Sequence, residues 1–295
     1  MSVRYRIEHE TRYEHDGLAS TSQHVACLTP RTLAHQRLLG HYLHIEPTPV
    51  SVQARTDYFG NLVDQFAILT PYTTMCVTSR SEVEIDQLER TVEPDASPAW
   101  ESVADGLLYR GKARYSEATE FSYASPFAPV GPEVEAFARE VFEPGRPLLA
   151  AAIALMHRIH QEFTFDPEAT SVATPITEVL SERRGVCQDF AHLQIAALRA
   201  LGLPARYVSG YLLTDPPEGQ PRLVGADASH AWVSAWCPAH GWVDLDPTND
   251  VLPSFRHITL AWGRDYGDVS PLRGVVLGGQ EHRLHVAVSV HPVPA

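Results

Sequence analysis

The spacing of apolar residues changes part-way along this chain, and that change constrains the fold more than any other feature of the sequence. Over residues 1–90, apolar and polar positions alternate, as at Val3, Tyr5 and Ile7, with turn residues between the runs. Alternation with a period of two is typical of strands that bury one face. We therefore predict an antiparallel β-sandwich-like module at the N-terminus.

After a proline-containing stretch at residues 92–100, which is typical of a linker, apolar residues recur at intervals of three and four. This is the helical period, and it predicts helices over residues 132–142 and 147–163, each with a proline at or near its first turn. A third helix is predicted to begin near Cys187 and to end at Gly202, because glycine is the usual residue just past a helix end.

Strand patterns return after the third helix, at residues 205–213, 229–236, 242–246 and 284–290. The chain is therefore predicted to be an α+β protein of two domains. Residues 1–90 are expected to form the β module. Residues 91–295 are expected to form helices packed on an antiparallel sheet, with a strand at the C-terminal end.

Composition excludes several classes of function. The 295 residues include 23 basic and 36 acidic side chains, and the net charge of −13 would repel nucleic acid. The longest apolar run, residues 148–156, is about half the length that a membrane-spanning helix needs. The first residues show no apolar run of the kind that leader segments contain, and the four cysteines form no CxxC pair, so we expect reduced thiols. We expect a cytoplasmic protein with no nucleic-acid or membrane partner, and the sequence leaves its oligomeric state open.

Cys187 is the first candidate for chemistry, because it lies where the third helix is predicted to begin. Main-chain N–H groups at a helix start, together with the helix dipole, favour the thiolate that attacks carbonyl carbon. The same N–H groups could hold an oxyanion, and Gln188 is a further candidate donor for it. The alternative is that Cys187 is a small buried core residue.

His230 and Asp246 are the candidate partners of this thiol. If the apolar faces of their two strands pack together, His230 and Asp246 share the opposite face. Direct pairing across the hairpin requires a loop with an odd number of residues, centred on Pro238. Asp244 has the same parity and competes with Asp246. A histidine with a purely structural role is the alternative for His230.

Other polar and aromatic residues have structural alternatives as well. His157 and His160 are close enough on one helix to share a zinc ion, but no HExxH or CxxC motif accompanies them, so we predict no metal site. His192 is expected to point away from the thiol. Trp232 and Trp236 share the face of His230, where they could line a substrate groove or simply pack.

Three motifs carry a family resemblance: GVCQDFAH, ASHAWV and GWVDLDPTN. Together with the opening SVRYRIEHETRYEHD, the strand ARYVSGYL and the late segment AWGRDYGDVSPLRGV, they resemble the bacterial transglutaminase-like family that has its own N-terminal β module. The resemblance implies a papain-like core in residues 91–295. It also implies Cys187 as nucleophile, His230 as general base and acid, and Asp246 as the carboxylate that orients the imidazole.

The resemblance implies acyl transfer on peptide or glutamine-type amides through a cysteine thioester, without a cofactor. If water attacks the thioester the outcome is hydrolysis, and if a lysine amine attacks it the outcome is an isopeptide bond. The partner would then be a protein or peptide substrate. The alternative from another class is a non-catalytic module that binds peptides or partner proteins on the same scaffold.

Overall fold

The structure, a computed structural model, describes residues 2–86, 92–108, 116–214 and 228–293. It contains a large antiparallel sheet, a four-stranded antiparallel sheet and helices packed against the smaller sheet. The predicted α+β class is confirmed. The expected domain boundary at residues 90 and 91 lies outside the described residues.

The N-terminal part of the chain forms five strands of the larger sheet, in the spatial order β2-β5-β1-β4-β3. These strands are β1 (Ser2–Ala26), β2 (Gln36–Glu46), β3 (Ser51–Thr56), β4 (Leu62–Ile68) and β5 (Tyr72–Asp86). The first half of β1 alternates between exposed and buried side chains, with Tyr5 and Ile7 among the buried ones. This is the alternation that the sequence shows.

The last two strands of the chain, β12 (Leu272–Gly278) and β13 (His282–Val293), also belong to the larger sheet. Both pair antiparallel with β1, which is long enough to hold them one after the other along its length. The sequence pattern grouped the C-terminal strand with the second domain. Its hydrogen bonds join it to the first strand of the chain instead.

The middle of the chain forms the second layer. Its helices are α1 (Trp100–Leu107), α2 (Pro132–Arg139), α3 (Leu148–Glu162), α4 (Ile176–Glu182), α5 (Cys187–Ala200) and the short α6 (Tyr266–Val269). Its four-stranded sheet has the order β10-β9-β8-β11, with β8 (Ala205–Leu212), β9 (Ala228–Cys237), β10 (Gly241–Leu245) and β11 (His257–Gly263). A two-stranded parallel pair, β6 (Thr164–Phe165) and β7 (Arg184–Gly185), precedes α5.

Helix α5 lies at the centre of this layer. It packs on β8 and β9 and is covered by α2, α3 and α4. Nearly all of its side chains are buried as a result, including the polar residues Gln194 and Arg199. A helix enclosed on every side holds its ends in fixed positions, which matters for Cys187 at its first residue.

One hydrophobic cluster joins the two layers. It includes Tyr5 and Ile7 of β1, Val288 and Val290 of β13, and Phe190 of α5. A second, smaller cluster lies in the larger sheet and includes Leu28, just after β1. Within the described residues no helix is long and apolar enough to cross a membrane. All four cysteines are free thiols.

Candidate active site

Local packing fixes Cys187 at the first turn of α5. The residue before it, Val186, has extended backbone geometry, and its N–H donates to Asp189 Oδ2 over 2.8 Å. The hydroxyl of Thr170 donates to the same oxygen over 2.6 Å. Burial raises the pKa of Asp189 although both hydrogen bonds act in the opposite direction. Gly185 is required here, because a Cβ atom at that position would lie 2.8 Å from Asp189 Oδ2.

His230 and Asp246 meet, as the parity of their strands predicts. His230 Nε2 lies 2.8 Å from Asp246 Oδ2, and both side chains are buried. They are not direct cross-strand partners, however, which would require a loop centred on Pro238. Cys237 pairs with Gly241, so the three-residue loop is centred on Ala239 and not on Pro238. Asp246 follows the end of β10 and reaches His230 diagonally along the shared face.

Asp246 is fully buried and surrounded by hydrogen-bond donors. The N–H groups of Thr248 and Asn249 donate to its Oδ1 over 3.0 and 3.2 Å. The Asn249 side-chain amide donates to Oδ2 over 2.7 Å, beside the bond from His230. Burial alone would raise the pKa of this carboxyl, but the donors hold it well below its usual range. Asp246 is therefore an anion at neutral pH.

The same pairing controls the charge of His230. Burial lowers its pKa, but hydrogen bonds to Asp246 and Cys187 and the charge of both outweigh burial and raise the pKa to about 10. The imidazole is therefore protonated at neutral pH. Because Nε2 is taken by Asp246, Nδ1 is the nitrogen left to face Cys187, as a thiol–imidazole pair requires.

His257 is a site residue that the sequence did not reveal. Its Nε2 lies 3.1 Å from Asp246 Oδ2. His257 begins β11, so a third strand of the smaller sheet contributes to this site. The Ser254 N–H donates to His257 Nδ1 over 3.4 Å, which places the ring proton on Nε2, facing Asp246. No motif or spacing in the sequence pointed to this residue, because β11 reaches the site through pairing with β8.

Trp232 lies behind the histidines and not in the substrate groove that the sequence suggested. Its ring is fully buried, with centroids 5.4 Å from His257 and 6.2 Å from His230. Trp236 packs against the hydrophobic cluster. Asp244, the competing carboxylate, pairs across the sheet with Ser234, which lies further along β9 than His230.

A cleft of about 270 Å³ opens at Cys187. Gln188, His230 and Tyr207 line it on the side of the smaller sheet, and β1 and β13 line it on the opposite side. Tyr207 is almost completely buried, and burial and the nearby Cys187 raise its pKa, so its hydroxyl keeps its proton.

Two comparisons with known proteins decide the family. Residues 135–247 match the model of the transglutaminase-like superfamily, and residues 5–84 match that of the bacterial transglutaminase-like N-terminal region. An uncharacterized protein of Mycobacterium tuberculosis is 40% identical over 298 residues, which is 99% of this chain and 93% of the relative. The chain belongs to the bacterial transglutaminase-like family.

Two more distant similarities concern part of the sequence and the fold. A protein-glutamine gamma-glutamyltransferase of Pseudomonas aeruginosa is 35% identical over 126 residues, covering 41% of this transglutaminase-like chain and 19% of that enzyme. A solved structure described as a candidate cysteine protease from Cytophaga hutchinsonii is 19% identical. The match covers 100% of this chain and 92% of the solved chain. Its TM-score of 0.76 shows that the two proteins share a fold.

His157 and His160, which are close enough on one helix to share a zinc ion, instead contact the turn that follows Asp246. His157 contacts Asp250, and His160 Nδ1 lies 2.9 Å from the Thr248 carbonyl oxygen, so both rings reach from α3 to the turn after β10. The metal-type ligands that do converge within the described residues are His230, Asp246 and His257, within 4.8 Å of one another. Their facing atoms hydrogen-bond to each other.

His192 is a packing residue. It is buried between Phe127 and Tyr207, and its Nε2 accepts the Tyr266 N–H over 3.1 Å. Burial lowers its pKa to about 4, so the ring is neutral. It contributes no charge to the cleft.

Proposed function

We propose that this protein is a thiol-dependent acyl-transfer enzyme that acts on peptide or glutamine-type amides through a thioester on Cys187. One observation carries the proposal: a cysteine at a helix start, a histidine and a buried aspartate converge at a cleft. The match of residues 135–247, which hold all three residues, to the transglutaminase-like superfamily supports it, as does the similarity to a glutamyltransferase. Four free thiols support a reducing compartment, and we place the reaction in the cytoplasm.

In the first step, Cys187 Sγ, as the thiolate paired with the protonated His230, attacks the amide carbonyl carbon, and the carbonyl oxygen becomes an oxyanion. His230 then gives its proton to the leaving nitrogen, the C–N bond breaks, and ammonia or an amine departs while the thioester stays on Cys187. Water or a second amine attacks the thioester in the next step. His230 takes the proton of the attacking group, and the C–S bond breaks to regenerate the Cys187 thiolate beside the protonated His230.

Two kinds of donor serve the oxyanion. Main-chain N–H groups in the first turn of α5 are free of intrahelical partners and point out of the helix start. The Tyr207 hydroxyl is the second donor, because it lines the cleft beside Cys187 and its raised pKa keeps it protonated. Gln188 lines the same cleft and orients the acyl group.

Substitution of Cys187 tests the proposal. We expect Cys187→Ala to reduce ammonia release from a glutamine-containing peptide by about a thousandfold or more, because the nucleophile is lost. Cys76→Ala is the matched control, since Cys76 is another partly buried thiol but lies on β5 away from the cleft. Mass spectrometry of the quenched wild-type protein should show an acyl adduct on Cys187.

The product distinguishes the two acceptors. Ammonia release with a new glutamate indicates water, and incorporation of an added primary amine into the peptide indicates transfer. Turnover that persists in Cys187→Ala would refute the proposal. A wild-type protein that binds peptides but forms no adduct would favour the non-catalytic alternative.

A further inference from the structure

The wall of the cleft opposite the smaller sheet is built by the N-terminal sheet. Thr11 and Tyr13 of β1 lie beside Val286 and Leu284 of β13, because the register pairs Thr11 with Val286 and Tyr13 with Leu284. All four side chains line the cleft that contains Cys187. Alternate residues of paired strands share one face, so the sheet presents a continuous row of side chains to the nucleophile.

This wall is uncharged and mostly apolar. Within the described residues, no aspartate, glutamate, lysine or arginine lines the cleft. His9 is next to Thr11 on the same face, and burial lowers its pKa to about 4, so it is neutral. Its ring nitrogens are both engaged: Nδ1 lies 3.0 Å from the Tyr211 hydroxyl and Nε2 lies 3.1 Å from the Thr11 hydroxyl.

The apolar part of the wall is accessible from solvent. Leu284 is 52% exposed and Val286 is 49% exposed, which is high for branched aliphatic side chains inside a cleft. Covering such a surface with an apolar group is favourable, whereas a charged group placed against it would lose hydration without gaining a partner.

We propose that this wall is a subsite for an uncharged, apolar side chain of the acyl donor, at the residue next to the one whose acyl group is transferred. The inference rests on the proposed function, which places the acyl carbon at Cys187 in the same cleft. The occupant is a peptide segment, since Gln188, Ser209 and Ser229 on the facing side offer polar groups to its backbone.

Binding to Cys187→Ala tests the subsite without turnover. The probes are fluorescent glutamine peptides in which the residue on either side of glutamine is leucine, lysine or glutamate. We expect leucine at one of these two positions to bind at least about tenfold more tightly than either charged residue. In Leu284→Asp the leucine preference should disappear, and the lysine peptide should become the tightest binder.

Leu277→Asp is the matched control, because Leu277 is a 58% exposed leucine on β12 of the same sheet that does not line the cleft. It should keep the leucine preference. Equal binding of all peptides, or a preference that Leu284→Asp and Val286→Asp leave unchanged, would overturn the subsite. Tryptophan fluorescence melts establish that each variant is folded.

The two proposals fail in different ways. A leucine preference in Cys187→Ala that depends on Leu284, with no acyl adduct in the wild type, would leave the subsite intact and refute the proposed chemistry. An acyl adduct on Cys187 that forms equally fast with the leucine, lysine and glutamate peptides would refute the subsite and leave the proposed chemistry intact.

Discussion

His257 is the residue whose effect on the site is easiest to isolate. Its Nε2–H is one of three side-chain donors to a fully buried carboxylate oxygen. We expect His257→Phe to lower the free energy of unfolding by about 1–3 kcal/mol, because Asp246 loses a donor that water cannot replace. The pKa of Asp246 should rise. Urea denaturation measures the loss of stability.

His240→Phe is the control for this experiment, since it changes the same residue type at the partly exposed loop between β9 and β10. Its unfolding free energy should stay within about 0.5 kcal/mol of the wild type. A loss as large as that of His257→Phe would show that the effect does not come from Asp246.

The raised pKa of His230 predicts a pH dependence of stability. In the folded protein this pKa is about 10, against an ordinary value of 6.5. The folded state therefore binds the proton more tightly, so the stabilisation is complete below about pH 6.5 and is lost as the pH rises from about 6.5 towards 10. We expect the stability difference between wild type and His230→Gln to shrink over this range.

Urea denaturation at several pH values measures that difference. A difference that grew with pH would mean that the folded protein favours the neutral ring. Asp246→Asn provides the complementary case, because a depressed carboxyl pKa contributes stability that is lost only as the pH falls below the ordinary aspartate range.

At the scale of elements, the start of α5 depends on Gly185. A methyl group there would lie 2.8 Å from Asp189 Oδ2 and 3.0 Å from Asp189 Cβ. We expect Gly185→Ala to cost about 1–3 kcal/mol of stability and to lower the rate of acylation, because Asp189 must move and the first turn moves with it. Thermal melts and the rate of adduct formation on Cys187 measure both effects.

Gly106→Ala is the opposite case on another helix. Gly106 lies in α1, and no described atom outside its own stretch of helix lies within 4 Å of the place that an added Cβ atom would take. The substitution should therefore raise stability by about 0.5–1 kcal/mol and leave acylation unchanged. Equal effects of the two substitutions would show that the contact with Asp189 is unimportant.

The elements near Cys187, His230 and Asp246 could be predicted from sequence because their signals are local. The glycine and proline after α5 mark the end of the helix that begins at Cys187, and the alternation in β9 and β10 predicts that His230 and Asp246 share a face. The register of the hairpin could not be predicted, because the loop is centred one residue later than Pro238, the centre that direct pairing requires. Face is set by parity, but the loop centre depends on turn geometry that parity does not contain.

Pairing between distant segments could not be predicted from local sequence patterns. His257 reaches Asp246 because β11 pairs with β8, more than 40 residues earlier, and β13 lines the cleft because it pairs with β1 at the other end of the chain. Both strands have apolar residues that fit several partners equally well. Their contributions to the site come from topology.

For the whole molecule, the shared hydrophobic cluster means that the two sequence-defined parts stabilise each other. Ile7 of the larger sheet is 1% exposed and packs in the same cluster as Phe190 of α5. The sheet that forms one wall of the cleft is therefore held in place by the same contacts that bury α5. Loss of those contacts should affect the stability of both layers and the shape of the cleft together.

Tryptophan fluorescence can test this coupling, because all five tryptophans lie at residue 100 or beyond and none lies in residues 1–90. We expect Ile7→Ala to lower the unfolding free energy by about 2–5 kcal/mol, and to shift the fluorescence and far-ultraviolet circular dichroism transitions by the same amount. Leu62→Ala, at an exposed position of the larger sheet, should shift neither. A fluorescence transition that stayed in place while the circular dichroism signal changed would mean that the layers unfold independently. The N-terminal sheet could then move away from Cys187 without unfolding the helix that presents it, because the contacts at Ile7 would not couple the two.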